Sequence, residues 1–138
     1  MPIDSTQFFN LYAQALNTFN SQEVASFCLA PTVVMSDLTK KVMVSKDEVE
    51  QTFSRILKKL DQAGIKTFEP KLQQTMRLSG TLFFSKMRWY LYDQQQQLSF
   101  SFAASYTLQK MPDEQFKIIV LIIDDDENKL ADIFTNTE

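Results

Sequence analysis

The feature that most constrains this chain is a change of period at Gly64. Before it, apolar residues recur at helical spacing; after it, they alternate as in extended strands. A chain of this kind folds as helices followed by a sheet, the segregated order of an α+β protein.

The helical half opens at Asp4. Asp4 with Gln7 three residues on makes a capping box, and Phe8, Tyr12, Ala15, Leu16 and Phe19 share one face of a helix over residues 4–19. Asn10, Gln14 and Asn17 turn away from it. Asn20 and Glu23 start a second, shorter helix, buried through Val24, Phe27 and Cys28 and ended by Pro31. Residues 32–35 are β-branched and apolar and predict a short strand; 37–40 turn the chain and 41–44 pair back. Ser45 and Glu48 cap a third helix, with its stripe at Val49, Phe53, Ile56, Leu57 and Leu60 and Gly64 as the terminating residue. Four long strands are expected near 65–78, 81–93, 98–110 and 115–124, joined by turns that include the Gln94–Gln97 run. No repeat or linker is visible, so residues 1–138 read as one domain with an acidic tail from about 125. The tail holds the charge: residues 124–138 carry six acidic side chains against one lysine, in a chain of net charge −3.

A chain of 138 residues can bury a sizeable core without metals or disulfides. The lysine pairs Lys40-Lys41 and Lys58-Lys59 are isolated, so nucleic-acid binding is not expected. The absence of histidine removes Ser-His-Asp hydrolysis, Cys-His proteolysis and His-ligated zinc. The run from Asp124 to Glu127 lacks the spaced ligands of a calcium loop and reads as an exposed turn. Neither metal nor cofactor is expected. The single Cys28, the lack of a basic and apolar leader, and the shortness of the apolar run 118–123 together point to a cytoplasmic protein that neither spans nor binds a membrane.

Strand faces say more. Leu98, Phe100, Phe102, Ala104, Tyr106 and Leu108 share one face of their strand; Ser99, Ser101, Ala103, Ser105 and Thr107 form the other, all small. Residues 118–123 are apolar on both faces, as in a strand covered on both sides. Helices cover one side. A second copy of the chain, sheet against sheet, is the expected cover for the other.

The order helix, short helix, short strand, capped helix and four-stranded meander resembles the nuclear transport factor two-like superfamily, which includes ketosteroid isomerases and SnoaL-like polyketide cyclases. The resemblance spans residues 4–124 and rests on element order, the FFNLYAQALNTFNSQEVASF opening and the aromatic strands. It implies a cystatin-like α+β roll: three helices on a strongly curved, mostly antiparallel sheet forming a cone with an internal cavity, and homodimers through the outer sheet face. In the isomerases a Tyr on the first helix donates to the substrate oxyanion and an Asp after the first short strand moves the proton. Tyr12 in LYAQALN looks like the former. Asp37 in VVMSD looks like the latter if one residue is inserted near 19–23. The third isomerase group, a protonated acid, falls near Ser101 or Ser105, and no Asp or Glu lies between Asp93 and Asp113.

Three functions follow as expectations. The leading one is an apolar cavity for a small organic ligand, lined by Tyr12, Phe27, Met35, Phe53, Leu57, Phe100, Phe102, Tyr106 and Ile118, with Arg88 and Tyr90 able to hold an anionic or carbonyl group. The second is a cofactor-free isomerase, cyclase or dehydratase, with Asp37 as base and Tyr12 as hydrogen-bond donor. The third is a non-catalytic dimerisation module. Each residue also has a plainer reading: Tyr12 as core, Asp37 as turn, Arg88 on a solvated or dimer-rim face.

Overall fold

The computed structural model describes residues 4–135; residues 1–3 and 136–138, the ends of the amino-terminal segment and of the acidic tail, lie outside the described residues. Helix α1 (Ser5–Asn17) starts at the expected box: Asp4 accepts from the Gln7 amide at 2.8 Å, and Gln7 Oε1 accepts from the Asp4 amide at 3.2 Å. Its buried face is Phe8, Phe9, Tyr12, Ala13, Ala15 and Leu16. Helix α2 (Ser21–Ala25) is capped by Asn20, whose side chain accepts from Gln22 and Glu23.

Here the structure departs from the periodicity. Helix α2 ends at Ala25, not at Pro31, and Cys28 is the first residue of strand β1 (Cys28–Met35). The stretch CLAPTVVM is a short apolar run that suits either element; pairing with a later strand decides it.

Strand β2 (Lys40–Met43) completes a hairpin with β1. Helix α3 (Lys46–Gln62) starts where Ser45 accepts from the Glu48 amide at 3.2 Å; the Glu48 carboxylate reaches back to the Val44 amide at 3.0 Å. It stops at Gly64, whose φ of +91° sets the left-handed residue of a Schellman turn closed by the Ile65 amide on Leu60 O at 3.0 Å. Strands β3 (Thr67–Arg77), β4 (Leu82–Tyr92), β5 (Leu98–Lys110) and β6 (Phe116–Asp124) follow, then a short helix α4 (Lys129–Thr135). Leu130 of α4 is buried in the core, and Ile133 packs against it.

One six-stranded sheet runs in the order β2-β1-β6-β5-β4-β3. Every pairing is antiparallel except β1 with β6. Register breaks at Leu72/Gln74, Leu91/Tyr92 and Thr107/Leu108 insert bulges, which bend strands and raise their twist. The sheet curves around its helices accordingly. Its inner face carries Phe68 and Leu72 of β3, Met87, Trp89 and Leu91 of β4, Phe100, Ala104, Tyr106 and Leu108 of β5, and Phe116, Ile118 and Leu121 of β6. Asn17, a polar residue at the end of α1, ties the helix to edge strand β3: its Oδ1 accepts from the Phe68 amide at 2.7 Å and its Nδ2 donates to Phe68 O at 3.4 Å. Among the described residues, no helix is long and apolar enough to cross a membrane.

Candidate functional site

Alternation on β4 and β5 aims Trp89 and Tyr106 at the helices. Trp89 Nε1 donates to the Tyr106 hydroxyl at 2.9 Å, a buried bond that satisfies both polar tips. Tyr12 sits against this pair, 5.9 Å from the Trp89 ring and 6.1 Å from the Tyr106 ring, and 5.6 Å from Phe27. Phe9 closes on Tyr106 at 4.8 Å. Phe8 joins Phe9, Phe27 and Phe116 edge-on. Burial, reinforced by the neighbouring Tyr106, pushes the Tyr12 hydroxyl well above the ordinary tyrosine range. Burial raises Tyr106 too, against the hydrogen bond from Trp89. Both phenols are therefore neutral donors at any ordinary pH.

The interior thus brings together Tyr12, Phe27, Phe53, Leu57, Phe100, Phe102, Tyr106 and Ile118, all in or against one core cluster. Three other cavity candidates are placed differently. Val34 packs on the core, so Met35 beside it turns to the outer face; Trp89 points in, so its neighbours Arg88 and Tyr90 point out. Asp37 is exposed in the turn after β1. There it is Ser36, not Asp37, whose side chain accepts the Leu38 and Thr39 amides, each at 3.3 Å. Asp37 lacks the apolar surroundings that a proton-transfer role beside Tyr12 requires. Cys28 is partly buried, and desolvation pushes its thiol up to about 12 against the lowering effect of Lys117, which makes it unreactive.

The acidic run has partners the sequence did not show. Asp126 takes both terminal nitrogens of Arg88, at 2.6 and 3.1 Å, and Glu127 lies 3.5 Å from the same guanidinium. Ser101 donates its amide and hydroxyl to Glu127 at 3.2 and 3.1 Å. Asp125 accepts the Leu130 and Ala131 amides at 3.1 and 2.8 Å and so caps α4. This clasp fixes the segment that carries α4. The hydrogen bond from Arg88 holds the Asp126 carboxyl below its ordinary value. A depressed carboxyl stabilises the fold above its unfolded pKa and loses that contribution as pH falls through the folded one. Protection of the amides of residues 128–131, relative to their intrinsic exchange, is therefore expected to fall below about pH 4. Arg88→Met should bring that loss of protection to neutral pH. Protection that stays constant through the acid range would contradict the clasp.

The outer face is the other candidate. Pairing registers align Val42, Val33, Val120, Thr107, Phe84 and Met76 in one row across all six strands. The next row runs Lys40, Met35, Ile122, Ser105, Lys86 and Gln74, apolar in the middle with a lysine toward each end. The helices pack on the other face, and Val42, Met76 and Ile122 remain 55%, 47% and 41% exposed. Both edge strands are protected against pairing: β2 by Lys40 and Lys41, β3 by Pro70 and a bulge.

A curved six-stranded sheet holding α1 and α3 on one face, with the opposite face open, defines a cystatin-like α+β roll. The chain belongs to the NTF2-like protein (DUF6841) family, whose model matches residues 4–126. Solved structures of low identity share the fold. An NTF-2 like protein of unknown function from Shewanella oneidensis superposes with a TM-score of 0.70 at 13% identity, over 87% of this chain and 95% of that one. A ketosteroid isomerase-like protein from Erwinia carotovora gives 0.63 at 12% identity, over 84% and 88%. A protein from Xanthomonas campestris, described as a calcium/calmodulin dependent protein kinase II association domain, gives 0.61 at 18% identity, over 83% and 80%. No curated protein matches the chain in sequence.

Proposed function

We propose that this chain is an assembly module without catalysis of its own, pairing with a second copy through the outer face of its sheet. The observation that carries the reading is the row of five apolar residues and one threonine crossing the six strands on the face opposite the helices. Large exposed apolar patches on soluble proteins mark interaction surfaces. The protected edges direct association to the face instead of to strand addition. The Xanthomonas relative in fold is described as an association domain, a role in keeping with this one. A cytoplasmic setting suits a chain whose one thiol is held inert. Ile122→Glu, at an exposed position in the centre of the face, is expected to weaken pairing at least about a hundredfold while leaving the circular dichroism native. Pairing unchanged by that substitution would count against the reading.

A ligand inside the cone is the second reading, favoured by the partial burial of Phe27 and Phe102 at the border of the core. Proton transfer by Asp37 and Tyr12 draws no support from the exposed position of Asp37.

A further inference from the structure

Leu11 is a large apolar side chain left 43% exposed on α1. It stands at the rim of a pocket of about 140 Å³ whose other walls are Phe8, Phe27 and Phe116, with Ser26, Gln115 and Lys117 supplying polar groups. Helix α1, the junction of α2 with β1, and the start of β6 build it. The Lys117 ammonium is fixed in place by donating to Ser26 O at 2.6 Å. That bond leaves two of its protons free. Among the described residues no carboxylate pairs with it. An apolar cavity of about 150 Å³ is enough to hold benzene. Aromatic walls of this size beside one oriented, unneutralised ammonium select a flat ring bearing one negative charge.

We propose that this pocket binds a small aromatic monocarboxylate, with the ring between Leu11, Phe8, Phe27 and Phe116 and the carboxylate on Lys117. The site is independent of the pairing proposed for the sheet.

Benzoate is the probe, titrated into the ¹⁵N-labelled full chain, with benzyl alcohol and acetate as the uncharged and ringless controls. Benzoate is expected to shift the Leu11, Phe27 and Lys117 amides saturably, and each control to bind at least about tenfold more weakly. Lys117→Met removes the charge. Leu11→Glu sets a carboxylate at an exposed rim position without touching the Ser26 bond. Each should weaken benzoate by about tenfold with the rest of the spectrum native. Three results would overturn the proposal: no saturable shift up to about 20 mM benzoate, shifts confined to another part of the chain, or undiminished binding by Leu11→Glu together with Lys117→Met.

Discussion

Trp89→Ala is expected to remove about 3–5 kcal/mol of folding free energy, the usual cost of deleting a buried aromatic side chain. Trp89 is 1% exposed, packs against the Tyr12 ring and donates to the Tyr106 hydroxyl. The substitution therefore opens a cavity and strips a buried hydroxyl of its donor at once. Native domains hold only about 5–15 kcal/mol in all, so much of the stability goes. Trp89→Phe keeps most of the ring area and loses the N–H, and should cost closer to about 1–2 kcal/mol. Urea unfolding of the two variants reads the difference. A Trp89→Ala midpoint within error of the native one would mean that Trp89 faces a hollow, and would revive the ligand reading for the cone.

The second large effect concerns association. Ile122→Glu places a charge at a 41% exposed position between Met35 and Ser105 on the outer face. In the isolated chain that carboxylate stays in water, so folding is nearly unaffected. In the pair it is buried against apolar side chains and replaces an aliphatic contact that itself contributes about 1.5–3 kcal/mol. Dissociation is expected to become at least about a hundredfold easier. Gel filtration with light scattering follows the shift in midpoint, and circular dichroism verifies the fold. The same change at Leu11, an exposed apolar residue on α1 away from that face, should leave pairing intact.

Local signals were legible in the sequence, and long-range ones were not. The caps at Asp4, Asn20 and Ser45 and the stop at Gly64 depend on residues a few positions apart, and all four stand where the sequence put them. The inward face of β5 was readable from Phe100 to Leu108, where large residues alternate with small ones; a bulge opposite Leu91/Tyr92 takes Leu98, expected on the same face, out of phase and leaves it 54% exposed. Cys28 went to the wrong element because its apolar neighbours suit a helix as well as a strand, and only the parallel pairing with Ile118 decides. That pairing spans the chain from near one end to the other and leaves no local mark.

The candidate site shows the same division. Tyr12 was found through its helical stripe and through the family resemblance, and the structure sets it in the aromatic core beside Trp89. The register of strands against helices decided which face Met35, Arg88 and Tyr90 would take, and sequence alone did not contain it. The partnership of Arg88 with Asp126 and Glu127 joins the middle of β4 to the residues that follow β6, far apart in the chain. An acidic run read by itself gives no reason to look for it. The pocket at Lys117 was likewise hidden, because its walls come from three separate segments and only Phe27 among them had been singled out.

The central claim is that the outer sheet face pairs with a second copy, and the most direct test is the mass of the native chain in solution. Sedimentation equilibrium should give twice the 16.0 kDa chain mass down to low micromolar concentration, as expected if pairing buries the ~800 Å² per partner usual for stable interfaces. A mass of 16.0 kDa at every concentration up to the millimolar range would contradict the account.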